Sequence, residues 1–265
     1  MGRARVTVLF LILEGVWKIM NEGEARPDEA QEIPESVCVL ASGGADSSIL
    51  LAHLAARTAR VVPVYVRNGL AWEEAELHWL GKFVRKLEHP SIRPIEVLDL
   101  PMGDVYGSHW SMTGRDVPDD LSEWNEVYLP GRNLILLAKT AVFASIRDIR
   151  AIALGPLKTN LFSDSSPSFF SGMGRMIETA LEYPVRILTP FADRTKNDVM
   201  LLGKDLPLEL TFSCLNPQGN SHCGMCNKCA ERRLAFSEAG LADPTRYRRS
   251  RPSPEGKKEF QAPPR

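Results

Sequence analysis

The chain has 265 residues, 44% of them hydrophobic and 25% charged, and a formal net charge of −1. This composition is that of a globular protein, and the near-neutral charge carries no signature of polyanion binding, so we expect no stable nucleic-acid binding. Four of the five cysteines lie within sixteen residues, which excludes a secreted disulfide scaffold. Clustered cysteines favour a metal site in a reducing compartment, and we expect the cytoplasm.

The two ends of the chain are predicted to be poorly ordered. The apolar run at residues 6–13 follows basic residues as in a signal peptide, but Glu14 interrupts it and no small-residue cleavage site follows. Eight residues are also too few to span a bilayer, so no membrane contact is expected. Residues 1–35 are therefore predicted to be an extension, with Met20 as an alternative start. Residues 246–265, which are charged and rich in proline, are predicted to be a disordered tail.

Between these ends, short apolar runs alternate with segments of helical spacing. Helices are predicted at residues 46–57, 72–87 and 133–146. Strands are predicted at residues 37–41, 61–66, 93–99, 151–155 and 186–190. Strands separated by helices predict an α/β fold, in which a parallel five-stranded sheet carries helices on both faces. This domain is predicted to cover residues 36–205, with an irregular excursion at residues 101–128.

The turn between the first strand and the first helix has the sequence LASGGADSSIL, at residues 40–50. Glycines let backbone N–H groups approach a phosphate closely, and the start of a helix adds unpaired N–H donors. The serine hydroxyls add further donors, so the turn is predicted to bind an anion such as pyrophosphate. It lacks the spacing and the lysine of a Walker A loop. The alternative is a plain tight turn in which Asp46 and Ser47 cap the helix.

A second motif is a cluster of four cysteines with the spacing C-x8-C-x2-C-x2-C: Cys214, Cys223, Cys226 and Cys229. Thiolates at this spacing can converge on one tetrahedral Zn²⁺, and four sulfurs leave no open position, so the ion would be structural. The alternatives are a redox CxxC pair or His222 as a competing ligand. Cys38 lies in the first strand and is expected to be a buried small hydrophobe. The cysteines define a predicted zinc-binding helical subdomain at residues 206–245.

These motifs resemble the QueC family of 7-cyano-7-deazaguanine synthases, within the PP-loop ATP pyrophosphatases. The sequence SGGADS at residues 42–47 is similar to the PP-loop, and LPGRN at residues 129–133 is similar to a second family motif. Thr189-Pro190 followed by Lys196, and the cysteine cluster, carry the rest of the resemblance, which extends over residues 37–245. The resemblance implies the adenine-nucleotide α-hydrolase fold. It also implies a C–N bond-forming ligase that converts 7-carboxy-7-deazaguanine and ammonia to the nitrile and consumes ATP.

The resemblance also assigns expected roles to residues. Asp46 would help to hold Mg²⁺, while Arg132 and Lys196 would neutralise charge on the phosphates. The nucleotide-binding residues are predicted to be Leu40, Ala41, Ser42, Gly43, Gly44, Ala45, Asp46, Ser47, Ser48, Ile49 and Leu50. The substrate contacts are predicted to be Asn133, Phe162, Ser163 and Asp164. ATP, Mg²⁺ and a structural zinc ion are the implied cofactors, and a homodimer is left open.

The chain departs from the family where the substrate is chosen. Residues 66–70 read VRNGL where the family has Asp-Tyr-Gly-Gln, and the acidic residue that the family usually has in a later loop is missing at Ser168, which leaves Asp164 as the nearest candidate for its role. The same chemistry on a different carboxylate is therefore one alternative. A tRNA-modifying thiolase is another, although such enzymes need a reactive cysteine in the nucleotide domain. A nucleotide-binding protein without catalytic activity is the third.

Overall fold

The computed structural model describes residues 34–249 of the chain. Apart from residues 34–35 and 246–249, the predicted N-terminal extension and C-terminal tail lie outside the described residues. Within residues 34–249, no helix is long and apolar enough to cross a membrane.

A five-stranded sheet forms the centre of the fold. Its strands are β1 (Ser36–Leu40), β2 (Arg60–Arg67), β3 (Glu96–Asp99), β4 (Ala151–Ala153) and β5 (Arg186–Leu188). The spatial order is β3-β2-β1-β4-β5, and every neighbouring pair is parallel. The predicted parallel five-stranded sheet is therefore confirmed, and each of the five predicted strands overlaps an observed one.

Helices lie between the strands in the chain, and two more come after β5. They are α1 (Ala45–Ala55), α2 (Glu73–Leu87), α3 (Gly103–Tyr106), α4 (Trp110–Thr113), α5 (Arg132–Ile146), α6 (Pro167–Leu181), α7 (Lys196–Leu202) and α8 (Asn227–Glu238). Single 3₁₀ turns lie at Trp124–Val127, Ser163–Ser165 and Leu208–Leu210. The excursion at residues 101–128 thus contains α3, α4 and one 3₁₀ turn between irregular stretches.

The two faces of the sheet are covered by different helices because side chains alternate along each strand. Val37 and Val39 of β1 pack in one core cluster with residues of α1, α7 and α8. Cys38, between them, packs in a second cluster with residues of α5 and α6. The sheet is therefore buried on both faces, as near-continuous apolar strands require.

Helix α6 is not among the helices predicted above. Its buried residues Phe170, Met173 and Ile177 have helical spacing, but Gly172 and Gly174 lie between them, and glycine is among the weakest helix formers. Packing on the sheet overrides this low propensity. Helix α8 also packs on the sheet, since Ala235 and Phe236 belong to the same core cluster as β1. The boundary drawn at residue 206 stays a prediction.

The packing of α7 on α1 generates a test with two glycines. A Cβ at Gly203, which ends α7, would overlap the fully buried side chain of Ile49. We expect Gly203→Ala to lower the free energy of unfolding by about 1–3 kcal/mol, because an overpacked core must shift. A Cβ at Gly172 in α6 would meet nothing within 4 Å, so Gly172→Ala should be neutral or should stabilise by up to about 1 kcal/mol. Urea unfolding of both variants checks the opposite signs, and equal stability of Gly203→Ala and wild type would contradict this packing.

Candidate functional site

A cleft of about 310 Å³ opens at the carboxyl edge of the sheet. It lies where the strand order reverses, since β1 pairs with β2 on one side and with β4 on the other, and ligands of open α/β sheets bind at such a point. Several charged residues of the wall stand in the first turn of a helix: Asp46 in α1, Arg132 in α5, Lys196 in α7 and Lys228 in α8. The parallel sheet directs Asp46, Arg132 and Lys196 to one place, and Lys228 reaches it from the helix that follows the cysteine segment.

The loop between β1 and α1 has a shape that requires glycine at one position. Gly43 has a φ of +80°, and a Cβ there would lie 3.0 Å from the carbonyl oxygen of Glu76 in α2. Both the left-handed backbone and the close contact exclude a side chain. The carbonyl oxygen of Gly43 accepts a hydrogen bond of 2.7 Å from the backbone N–H of Phe212, which ties the loop to the segment that leads into Cys214.

The start of α1 has no side-chain cap among the described residues. Ser47 Oγ donates to the carbonyl oxygen of Gly44 at 3.2 Å and accepts from the backbone N–H of Ser42 at 3.2 Å. Asp46 bonds to a lysine, as described below. The first N–H groups of the helix are therefore left for another acceptor, which favours an anion-binding loop over a turn capped by Asp46 and Ser47.

The structure separates the eleven predicted nucleotide-binding residues into two groups. Those that line the cleft are Leu40, Ala41, Ser42, Gly44, Ala45, Asp46 and Ser47. The other side of α1 packs in the protein interior, where Ser48, Ile49 and Leu50 are fully buried. Gly43 does not line the cleft but contacts α2. Helical periodicity explains the division, because only the first turn of α1 faces the cleft.

Asp46 and Lys196, which are 150 residues apart in the chain, form an ion pair. Lys196 Nζ lies 2.9 and 2.7 Å from the two carboxylate oxygens of Asp46, and 3.4 Å from Glu231 Oε1. Lys228 Nζ pairs with the other oxygen of Glu231 at 2.6 Å. Burial alone lowers the pKa of Lys196, but the two carboxylates raise it above its usual value. Lys196 is therefore a fixed positive charge beside the loop.

Arg132 faces the same cleft from the first residue of α5. Its Nε is buried and has no hydrogen-bond partner in residues 34–249, so the guanidinium has a donor to spare for a ligand. The next residue anchors the helix: Asn133 donates its backbone N–H to Asp164 Oδ2 at 2.9 Å. The Asn133 amide also donates to the carbonyl oxygen of Asp164 at 2.9 Å and to Ser165 Oγ at 3.0 Å.

The four predicted substrate contacts occupy different positions. Asn133 lines the cleft, whereas Phe162, Ser163 and Asp164 are outside its described wall. Asp164 is 7% exposed and satisfies a backbone N–H at the start of α5, and Phe162 contacts Tyr128, with ring centroids 4.9 Å apart. Asn160, from the same loop as Phe162, does line the cleft. A role of this loop in substrate recognition stays a prediction.

The four cysteines form a compact centre. All four Sγ atoms lie within 4.8 Å of one another, and Cys223–Cys229 and Cys214–Cys226 are each separated by 3.9 Å between Sγ atoms. Sulfurs about 2.3 Å from a tetrahedral Zn²⁺ would be about 3.8 Å apart, so the donor set fits one ion.

Backbone N–H groups surround these sulfurs, as expected for thiolates. Leu215 and Met225 each donate a backbone N–H at 3.3 Å, to Cys226 Sγ and Cys223 Sγ respectively. The alternative ligand His222 accepts instead, since its Nε2 receives the backbone N–H of Ser213 at 3.1 Å. The geometry therefore favours four cysteines over a set that includes the histidine.

Sequence reasoning did not identify several groups in the wall of the cleft. Tyr65, Glu73 and Glu76 enter from β2 and α2, and Lys228 and Glu231 enter from α8. The local pattern gives little sign of the two glutamates, because acidic residues in the first turn of an amphipathic helix usually face solvent. The sequence did contain a signal for Lys228. It lies between Cys226 and Cys229, and because metal ligands are held in the folded chain, a residue between them is also held in a fixed place.

Comparison with known proteins places these features in a family context. The family model for "Queuosine biosynthesis protein QueC" matches residues 36–240. The 7-cyano-7-deazaguanine synthase of Methanothermobacter thermautotrophicus is 32% identical over 223 residues, with 78% of this chain and 96% of the relative covered. That of Methanosphaerula palustris is 32% identical, with 80% and 99% covered. Among solved structures, NMN synthetase from Francisella tularensis is 13% identical with a TM-score of 0.42, and 87% of each chain is covered.

The cysteine centre leads to a prediction about metal content. We expect the purified protein to carry about one zinc ion per chain, since a closed four-sulfur site holds one ion. Cys226→Ser should lose the zinc and lower the free energy of unfolding by about 4 kcal/mol or more, because metal binding supplies folding energy to the loops it joins. Elemental analysis and urea unfolding measure both effects. The control Cys38→Ala, which removes the buried cysteine of β1, should keep its zinc. A wild-type protein that contains no zinc and is equally stable without it would contradict the assignment.

Proposed function

The chain belongs to the QueC family, and we propose that it converts 7-carboxy-7-deazaguanine and ammonia to 7-cyano-7-deazaguanine with consumption of ATP. The observation that supports the proposal is that an uncapped glycine loop, the paired Lys196 and Arg132, whose Nε has no partner in residues 34–249, line a single cleft. These groups suit a triphosphate, and the cleft also reaches Asn133 and Asn160, which can hydrogen-bond a polar ring.

The first chemical task is to activate a carboxylate, which is a poor electrophile. A carboxylate oxygen attacks the α-phosphorus of ATP, the bond to the bridging oxygen breaks, and pyrophosphate leaves with the electron pair. The products are an acyl adenylate and pyrophosphate. Catalysis of this step consists mainly of positioning and of stabilising the charge on the phosphates.

The residues of this chain divide that task among them. The free N–H groups at the start of α1 would bind phosphate oxygens. Lys196 and Arg132 would neutralise the charge that builds up on the departing pyrophosphate. Mg²⁺, when bound with ATP, shields phosphate charge, and the carboxylate of Asp46 would hold it. Because Lys196 occupies both oxygens of Asp46 in the structure, the cation and the lysine would compete for that carboxylate.

Ammonia then attacks the acyl carbon, AMP leaves, and an amide forms. The amide oxygen can attack a second ATP in the same way. Loss of AMP from that adduct, with loss of the remaining N–H protons, produces the nitrile. The proposed zinc centre would take no part in these bonds. It would hold the segment from Cys214 to α8, which carries Lys228 and Glu231 into the wall of the cleft.

A tRNA-modifying thiolase is disfavoured by the environment of Cys38. Its side chain is fully buried, and burial raises the pKa of its thiol to about 12, so a thiolate is not accessible near neutral pH. The cysteine is also absent from the described wall of the cleft. The experiment below includes other carboxylates, because the same activation chemistry would serve them.

The proposed activity can be tested directly. The purified protein, with ATP, Mg²⁺ and ammonium, should convert 7-carboxy-7-deazaguanine to the amide and then to the nitrile, with one AMP released per activation, as mass spectrometry and nucleotide analysis can show. Other aromatic carboxylates are matched controls. If one of them is consumed and the deazaguanine is not, the activation chemistry stands and the proposed substrate is wrong.

Variants at the ion pair test the proposed phosphate role. We expect Lys196→Met to lower kcat/KM for ATP by about 100-fold or more, since it removes a charge aimed at the leaving group and keeps the aliphatic stem. Lys204→Met, on the exposed stretch just after the same helix, is the matched control and should behave as wild type. Steady-state AMP release measures both, and equal rates in the two variants would contradict the role of Lys196.

A variant at Asp164 tests substrate recognition separately from phosphate binding. In Asp164→Asn the new amide oxygen can still accept the N–H of Asn133, while the negative charge is lost. If Asp164 recognises the donor pair of a guanine-like ring, the KM for 7-carboxy-7-deazaguanine should rise about 10-fold or more, with the KM for ATP unchanged, because a carboxylate accepts such a pair better than an amide does. Unchanged constants for both substrates would limit Asp164 to anchoring α5.

A further inference from the structure

Glu76 stands in the wall of the cleft, next to the loop between β1 and α1. Its own carbonyl oxygen is the atom that a Cβ at Gly43 would approach to 3.0 Å, so α2 and the loop are in direct contact. Its side chain lines the cleft, and Oε2 accepts a hydrogen bond of 2.7 Å from the Tyr65 hydroxyl. The carboxylate therefore lies in the cavity that would contain the activated acyl group.

The other carboxylates of the cleft are already occupied. Asp46 and Glu231 pair with lysines, and Glu73 accepts the backbone N–H groups of Asn68 and Gly69 at 2.6 and 3.0 Å. Glu76 instead has the neutral hydroxyl of Tyr65 and the indole of Trp72 as hydrogen-bond donors.

The surroundings of Glu76 set its affinity for a proton. Burial raises the pKa of its carboxyl to about 7, although Arg132 of α5 and the donors Tyr65 and Trp72 act in the opposite direction, while Glu73 adds to the increase. Among the described residues, these four act on Glu76: Tyr65 from β2, Arg132 from α5, Glu73 from α2 and Trp72 at the start of α2. A carboxyl group with a pKa near the working pH is suited to accept and release protons.

The proposed reaction needs such a group. At neutral pH ammonia is present almost wholly as ammonium, which has no lone pair and cannot attack. We propose that Glu76 accepts the proton that converts bound ammonium into the ammonia nucleophile; this inference rests on the function proposed above.

The Glu76 carboxylate takes one proton from ammonium, the freed lone pair forms the C–N bond, and the C–O bond to AMP breaks with its electron pair leaving on the AMP phosphate. A second proton passes from the new nitrogen to that phosphate. The products are the neutral amide, protonated AMP and protonated Glu76, which then releases its proton to solvent. Tyr65 would hold the Glu76 carboxylate, and Arg132 would stabilise the departing phosphate.

The experiment separates the two halves of the reaction in the full-length protein. Exchange of labelled pyrophosphate into ATP, with 7-carboxy-7-deazaguanine and without ammonium, reports adenylate formation, which needs no proton acceptor. Product formation with ammonium chloride, measured from about pH 6 to about pH 9, reports the attack of ammonia. The variants are Glu76→Gln, which keeps an oxygen for Tyr65, and the control Glu74→Gln, whose carboxylate is 83% exposed and pairs with Arg67.

We expect Glu76→Gln to keep pyrophosphate exchange within about twofold of wild type and to lose about 100-fold in amide formation near neutral pH. The wild-type rate should fall below about pH 7 as Glu76 becomes protonated and should be level above it. In Glu76→Gln the level region above about pH 7 should be lost, and the residual rate should keep rising up to about pH 9 as free ammonia accumulates. Glu74→Gln should match wild type throughout.

Other outcomes would contradict either the role of Glu76 or the proposed function. If Glu76→Gln forms amide at the wild-type rate with the wild-type pH profile, Glu76 is not the proton acceptor. If it loses exchange and amide formation equally, Glu76 supports ATP binding or the fold instead. If wild type itself shows neither exchange nor product with this carboxylate, the proposed function is wrong and the inference that depends on it is wrong as well.

Discussion

The parallel pairing of the five strands is the constraint on which the site depends. In a parallel sheet all strands end at the same edge, and each connecting helix begins there. The central strand β1 is paired on both sides, so the loop after it is flanked by the loops after β2 and β4. This is why residues in the first turns of α1, α5 and α7 line one cleft although 150 positions separate Asp46 from Lys196 in the chain. Helix α8 follows no strand and reaches the cleft with the cysteine segment instead.

The cysteine centre is tied to the cleft. The backbone of Phe212 bonds to Gly43 in the loop between β1 and α1, and Cys214 itself lines the cleft. The excursion at residues 101–128 also reaches the centre, since the backbone N–H groups of Asp120 and Asn227 bond to Met225 and Pro118 respectively, each at 3.0 Å. A metal bound by the four sulfurs would therefore fix one wall of the cleft, and its loss would disturb the position of α8 as well as the loops around it.

Charged residues of both signs line the small cleft, and the pKa values of two of its carboxylates differ. Burial raises the pKa of Glu231, yet Lys228 and Lys196 outweigh it and hold the pKa at about 2. Glu76, without such a lysine, has a pKa of about 7. Titratable groups whose surroundings separate their pKa values commonly have different tasks in one site. In the proposed mechanism, Glu231 would fix the two lysines that face the phosphates, and Glu76 would exchange a proton.

The sequence by itself predicted the sheet, which the structure confirms, and it located the glycine loop after β1 and the four-cysteine cluster, whose ligands stay predictions. Each depends on local signals, namely apolar runs bounded by turns, a glycine pair after a strand, and thiolates at metal-binding spacing. It did not predict α6, where Gly172 and Gly174 conceal a buried helical face, and it did not identify Glu76, Lys228 or Glu231 as cleft residues. Only the tertiary structure decided those points, because burial and long-range pairing, such as the contact of Lys196 with Asp46, depend on which elements pack together. For the same reason only the folded chain shows that the carboxylate of Asp164 accepts a backbone N–H at the start of α5; its contact with a substrate stays a prediction.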